Sequence, residues 1–313
     1  MLRPRFCSCL AYLTQGDDRS LVDRRFLIGW DSPPRLGRRS IPSQTLLFAF
    51  PDLLKSDCFM DPALRPKLTD RLDWLVDWLY PPRCRACGGR IYGRDAEYLC
   101  GACWPQIRLV AHPLCNLCGR PFFDASGDDH HCAVCLARQP YFVRARAWGC
   151  YPTDERAEHP LRQVVQKFKY GRKVSLGKPL GRLMARGCQE FLKECHVDLI
   201  VPVPLHPKRL RWRGFNQSLL LARQVSRLYE VPVDSFVLCR ERETVPQTQL
   251  AEDERRKNVR GAFVIYPGKL LKGTSVLLVD DVYTSGATAN ECSRVLVRGG
   301  AREVYVLTLA RTI

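Results

Sequence analysis

No apolar run in the chain comes near the roughly 18 residues that a membrane-spanning helix needs. The longest early candidate, around Leu46 to Phe50, stops far short of it, so membrane insertion is not expected. Export is not expected either. Arg24-Arg25-Phe26-Leu27 carries the arginine pair of an export signal, yet Gly29 to Pro42 is polar and proline-rich where an apolar stretch has to follow. Acidic residues are in short supply, 32 against 49 Lys and Arg, which leaves a net charge of +17 and favours polyanionic partners: nucleotides, pyrophosphate or nucleic acid. The excess is concentrated, since Pro160 to Arg260 holds 21 Lys or Arg against 10 Asp or Glu, although solvated helix faces absorb many of them. A disulfide-like spacing is also missing. Of the 16 cysteines, eight form four Cys-x-x-Cys pairs and the rest are scattered, which is metal usage and implies a reducing, cytoplasmic compartment.

What is present suffices for a globular core: 46% of the 313 residues are apolar, a length that suits one to two domains. Residues 1–59 scatter arginine and proline without any sustained period and read as disordered or as an extension ahead of the natural start, for which Met60 or a nearby start codon is the candidate. Residues 60–83 form a lead-in, where Leu68, Leu72, Leu75, Val76 and Leu79 recur at the spacing of an amphipathic helix.

Residues 84–138 carry the cysteine pairs Cys84/Cys87, Cys100/Cys103, Cys115/Cys118 and Cys132/Cys135, with 12 and then 13 residues between the inner cysteines. Each gap is long enough for a small hairpin, so the segment reads as a double zinc ribbon holding two structural Zn²⁺ ions, each by four thiolates. Arg83, Arg85, Arg90 and Arg120 are placed to offset the anionic centres. Four thiolates leave no open position, which assigns these centres to structure or partner binding. Pairing neighbours closes the shorter loops and is the expected arrangement. Pairing the first with the third and the second with the fourth, or substituting His130 or His131 for one cysteine, stays open.

Residues 139–313 alternate between β and α periods. Strands are expected at Val143 to Tyr151, Val197 to Val203, Val233 to Leu238, Ala262 to Ile265, Val276 onward and Glu303 to Leu309. Helices are expected from Leu161 through Phe168, Leu176 to Lys193, Phe215 to Tyr229, and after Gly286. This alternation argues for an α/β fold, a mainly parallel sheet with helices on both faces.

The stretch Val276-Leu277-Leu278-Val279-Asp280-Asp281-Val282-Tyr283-Thr284-Ser285-Gly286-Ala287-Thr288 is the most informative. An apolar strand buried on both faces runs into two carboxylates, expected at its carboxyl end, and then into a small hydroxylated turn that opens a helix. Hydroxyls at Thr284, Ser285 and Thr288, a close-approach glycine at Gly286 and free amides at a helix start suit a phosphate. Asp280 and Asp281 suit a ribose diol, so the order of residues describes a site for a phosphorylated sugar.

On this segment the chain resembles the type I phosphoribosyltransferases and their phosphoribosyl-pyrophosphate (PRPP) motif. Upstream, the cysteine pairs, the run Val201-Pro202-Val203-Pro204-Leu205-His206-Pro207-Lys208-Arg209, and the strings Arg213-Gly214-Phe215-Asn216-Gln217-Ser218 and Arg255-Arg256-Lys257-Asn258-Val259-Arg260-Gly261-Ala262-Phe263 narrow the resemblance to the ComF family of competence-associated proteins. It covers about Trp78 to the C-terminus.

The resemblance implies a phosphoribosyltransferase fold behind the ribbons, and a reaction that displaces pyrophosphate from PRPP. Mg²⁺ is implied, bridging ribose hydroxyls and pyrophosphate oxygens. Asp280 and Asp281 then hold the ribose, and Val282, Tyr283, Thr284, Ser285, Gly286, Ala287 and Thr288 the 5′-phosphate. Lys208 and Arg209, expected on a proline-stiffened loop, address pyrophosphate. Cys239 to Arg260, with Gln247 and Gln249, has the length of a lid. Amidotransferase chemistry is disfavoured, because no cysteine follows Met1 or Met60 to serve as an N-terminal nucleophile. The alternative is a non-catalytic PRPP sensor or accessory protein binding single-stranded DNA beside a helicase-like partner.

Overall fold

The computed structural model of the chain describes residues 82–91, 98–122, 127–154, 158–244 and 252–313. The expectations for residues 1–59 and for the lead-in helix as far as residue 81, together with Gln247 and Gln249, lie outside them. In chain order the elements are β1 (Arg108–Leu109), α1 (Ala133–Ala137), β2 (Arg144–Tyr151), α2 (Pro160–Tyr170), α3 (Gly177–Gly187) and α4 (Gln189–Glu194), followed by β3 (Leu199–Pro202), α5 (Pro207–Arg213) and α6 (Gln217–Tyr229). After these come β4 (Leu238–Arg240), α7 (Glu252–Val259), β5 (Phe263–Ile265), β6 (Ser275–Tyr283), α8 (Ala287–Arg298) and β7 (Glu303–Thr312).

Five strands form one sheet in the order β1-β2-β7-β6-β3, parallel throughout except for the β1–β2 pair. The central strands are apolar on both sides, and the two-residue period divides them cleanly. Leu277 and Val279 of β6, with Leu307 and Leu309 of β7, pack under α2, α3 and α6 through Leu161, Phe168, Met184 and Leu221. Val276 and Leu278, with Val304 and Val306, pack against Cys292, Val295 and Leu296 of α8 on the opposite face. Burying continuous apolar strands between two helical layers is what sets the parallel sheet.

The ribbons join this core, one on each face. Cys84, Ile91, Cys103 and Ile107 of the first belong to the α2/α3/α6 layer. Cys115, Cys118, Cys135 and the following Phe142 belong to the α8 layer. Lys167 Nζ on α2 donates to the Ala86 carbonyl at 2.6 Å, and Arg311 Nη1 on β7 donates to the Cys118 carbonyl at 2.7 Å.

Four expectations need correction. The helix expected from Leu176 to Lys193 is two helices, interrupted at Cys188, where Gly187 lies so close to the Trp148 ring that a Cβ would collide with it. The strands expected near Val233 and Ala262 do not extend the main sheet. Val233 makes a single bridge to Ile200, while β4 and β5 form a separate antiparallel pair. Asp280 and Asp281 do not end their strand, since β6 continues to Tyr283 on β7. What ends there is the other neighbour: β3 stops at Pro202, opposite Val279, and leaves the carboxylates on an open edge. Finally, Lys208 and Arg209 lie in the first turn of α5, because Pro207 occupies a first-turn position and its fixed φ starts a helix instead of stiffening a loop.

Candidate functional site

Two loops meet at the carboxyl edge where β3 ends. One leaves β3 through Val203, Pro204 and Leu205, and the other leaves β6 through Thr284. Between them lies a cavity of about 140 Å³, lined by Asp280, Asp281, Lys169, Arg209, Arg213 and Arg240 among others.

The acid pair is unequal. Asp281 pairs with Lys169 Nζ, at the end of α2, at 3.0 Å. Asp280 Oδ1 accepts from Ser218 Oγ at 2.9 Å and from the Asp281 backbone N–H at 2.8 Å. Burial and the neighbouring Asp281 charge push the Asp280 carboxyl up to about 7, against the pull of Lys169 and these hydrogen bonds. Lys169 is shifted upward by Asp281 in spite of its own burial, so the ammonium persists.

Opposite the acids stand cations that the sequence reading left without a role. Arg213 and Arg240 are each only 8% exposed. Arg213 Nη1 donates to Gln217 Oε1 at 2.8 Å, and Arg240 donates to Thr244 Oγ1. Arg213 Nε, Arg240 Nε and Gln217 Nε2 are buried with no hydrogen-bond partner. Lys169, Arg209, Arg213 and Arg240 put four cationic side chains around one cavity, which suits it to a multivalent anion. Arg209 also lines the cavity and donates to the Thr244 carbonyl at 2.7 Å. Lys208 is not among the lining residues; its ammonium pairs with Glu243 at 2.7 Å on the surface.

The string Arg213 to Ser218 now reads residue by residue. Arg213 supplies a guanidinium and Gln217 holds it. Gly214 ends α5 with φ 84°, Asn216 caps α6 by accepting from the Ser218 N–H at 3.0 Å, and Asn216 Nδ2 ties the cap to the Val203 carbonyl at 3.1 Å. Ser218 thereby reaches Asp280. The string offers Gly214 and, two residues on, the cap-forming Asn216, but the acid that Ser218 serves is 62 residues away.

The motif loop divides between two cavities. Val282, Thr284 and Thr288 line the acid cavity. Tyr283, Ser285, Gly286 and Ala287 line a larger one of about 560 Å³ on the other side, toward the second ribbon. Gly286 precedes α8 with φ 75°, and a Cβ there would collide with Tyr283 Oη, so only glycine fits.

The two cysteine clusters form as neighbouring pairs: Cys84, Cys87, Cys100 and Cys103, then Cys115, Cys118, Cys132 and Cys135, with the sulfurs of each set within 4.8 Å of one another. Backbone N–H groups of Gly89 and Cys132 approach Cys87 and Cys115 sulfurs at 3.4 and 3.3 Å, the support expected for thiolates on Zn²⁺. His130 is engaged elsewhere, stacked on Phe122 at 3.9 Å. Among the described residues no helix is long and apolar enough to cross a membrane.

Known proteins resemble the chain in its ribbons and over most of its length. The double zinc ribbon domain family matches residues 75–136. "Competence protein F" of Haemophilus influenzae is 32% identical over 73% of the chain and 96% of that protein. "DNA utilization protein YhgH" of Escherichia coli K12 is 31% identical over 69% and 91%, and "Competence protein ComFC" of Bacillus subtilis is 27% identical over 69% and 85%. Among solved structures, glutamine PRPP amidotransferase from B. subtilis aligns at 21% identity and TM-score 0.31, over 45% of the chain and 30% of that protein. A purine phosphoribosyltransferase from Pyrococcus horikoshii aligns at 20% and TM-score 0.27, over 46% and 75%.

Proposed function

The chain belongs to the ComF family of competence-associated proteins, and from that premise we propose that its acid cavity binds PRPP and transfers phosphoribose with release of pyrophosphate. The observation that carries this reading is that the Asp280–Asp281 pair shares one cavity with Arg209, Arg213 and Arg240.

Asp280 and Asp281 take the ribose diol, and the loop from Thr284 to Thr288 takes the 5′-phosphate at the start of α8. Arg209, Arg213 and Arg240 hold the pyrophosphate, whose charge grows as the bond to C1′ breaks, so their interaction is strongest in the transition state. Lys208 joins them only by leaving Glu243. The cavity of about 140 Å³ is smaller than the roughly 300 Å³ at the low end of ligand pockets. Lys169 therefore withdraws from Asp281 as the sugar enters, and its ammonium passes to a phosphate oxygen. The Asp280–Asp281 pair is chemically suited to face Mg²⁺ carried in with PRPP, which would supply neutralisation of the pyrophosphate charge. Of the lid read at Cys239 to Arg260, residues 245–251 lie outside the described residues; in the rest Arg242 donates to the Asn258 and Arg260 carbonyls at 2.8 Å each.

A second reading keeps PRPP as a bound signal without turnover, in a protein that handles single-stranded DNA beside a helicase-like partner in the cytoplasm. The names of the H. influenzae and E. coli relatives and the net charge of +17 favour it. The test is pyrophosphate release from Mg²⁺-PRPP with a panel of nitrogenous acceptors. Release abolished in an Asp280→Asn/Asp281→Asn variant supports the transferase; PRPP binding with no release under any acceptor supports the second reading.

A further inference from the structure

Arg311 has no part in the reading of the acid cavity, yet it lies between the second ribbon and the motif loop. It stands on β7 opposite Tyr283 of β6 and is only 4% exposed. Its Nη1 donates to the Cys118 carbonyl at 2.7 Å, and its guanidinium lies 5.0 Å from the centre of the Tyr283 ring. A cation held away from water needs its surroundings to supply the opposite charge. The second ribbon is chemically suited to do so. Zn²⁺ held by four thiolates is a net anionic centre, and the Arg311 charge acts on the Cys118 sulfur.

Tyr283 carries the contact onward. Its Oη fills the space that a Cβ on Gly286 would need, so the ring lies against the turn that opens α8. Phe142, which follows the second ribbon in the chain, meets the same ring edge-on, with centroids 6.4 Å apart. The sulfurs of Cys118, Cys132 and Cys135 are near enough to act on the Tyr283 hydroxyl as well. A desolvated guanidinium over an aromatic face is attracted to it, which holds the ring in one place. Contacts therefore run without a gap from Cys118 through Arg311 and Tyr283 to Gly286.

We propose that Arg311 is a positioning residue for the PRPP site: fixed by the anionic ribbon centre, it holds Tyr283 against Gly286 and so sets the loop from Thr284 to Thr288 in its phosphate-binding form. Zinc in the second ribbon and PRPP in the loop then favour the same arrangement of Arg311 and Tyr283, and each strengthens the binding of the other by the same factor. The inference rests on the PRPP reading of that loop. It gives the second ribbon a part in ligand binding although its four thiolates leave no position for a substrate.

The test is calorimetric titration of Mg²⁺-PRPP into the zinc-loaded full chain, with Arg311→Met and Arg311→Lys beside it. A residue that only stabilises the fold lowers the melting temperature and leaves the affinity of the folded chain alone. Arg311→Met is expected instead to weaken PRPP roughly tenfold, and Arg311→Lys, which keeps the charge, to recover most of that loss. A reciprocal measurement on the wild type decides the matter even where Arg311→Met does not fold. PRPP should slow the transfer of one of the two zinc ions to a chelator roughly fivefold, and by more than it slows unfolding of the chain. A folded Arg311→Met chain with wild-type affinity overturns the inference, as does PRPP that binds the wild type but slows zinc transfer no more than unfolding; either result leaves the PRPP reading standing. No PRPP binding by the wild type overturns both.

Discussion

Lys169 Nζ lies 3.0 Å from Asp281 Oδ1, with side chains 22% and 11% exposed, so an ammonium from the last turn of α2 sits where a substrate's hydroxyls are read to go. The pair neutralises the acid edge while the cavity is empty. Replacing Lys169 by Met strands a buried carboxylate beside Asp280 and is expected to destabilise the fold by about 3 kcal/mol. Denaturant unfolding of the variant checks this. Mg²⁺ with PRPP should restore much of the loss; an unchanged midpoint would show that the pair is not maintained in solution.

Asp280 gives a pH signature of definite sign. Its carboxyl is pushed up to about 7 in the fold from an ordinary value of 3.8, chiefly by burial and then by Asp281. The folded state thus binds the extra proton, and this group's contribution to stability is full below about pH 4 and is lost as pH rises toward 7. Asp280→Asn removes that titration. The stability of the variant relative to wild type should rise across pH 4 to 7 by an amount on the order of 1–3 kcal/mol. A flat difference over that window would place the Asp280 carboxyl in water.

Gly286 tests the loop without touching any charge. At φ 75°, with Tyr283 Oη occupying the space where a Cβ would go, alanine is strained and obstructed at once. Gly286→Ala is expected to cost about 1–3 kcal/mol and to weaken PRPP at least tenfold. Thermal unfolding and PRPP titration of the same preparation separate the two effects.

The ribbons should behave as part of the core. Each buries cysteines in a different helical layer, and Arg311 ties the second one to β7 through the Cys118 carbonyl. Elemental analysis is expected to return two zinc ions per chain, and Cys115→Ala one. Strong chelation should lower the melting temperature of the whole chain in one transition. A chelated protein that melts as before would make the ribbons independent appendages.

Much of this was legible in the sequence for identifiable reasons. The apolar runs of β6 and β7 could only be strands buried on both faces, and four Cys-x-x-Cys pairs in order close most cheaply as neighbours. Lys208 was legible as a cation but not in its placement, because Pro207 opens a helix as readily as it stiffens a loop. Arg213 and Arg240 were not legible as site residues. Each acquires its role only when α5 and the β4–β5 pair bring it to β6, and nothing local in a run of basic residues marks which guanidinium will be buried. The break at Cys188 follows Gly187, where a Cβ would collide with Trp148, 39 residues before that glycine, a contact nothing local announces.

The central claim is that the cavity holds PRPP between an acid pair and buried guanidiniums, and calorimetric titration of PRPP with Mg²⁺ tests it most directly. Wild type should bind one equivalent, with Arg213→Met and Asp281→Asn each weakening affinity at least tenfold and Lys208→Met less than threefold. No PRPP binding by the wild type, or binding indifferent to Arg213 and Asp281, would contradict it.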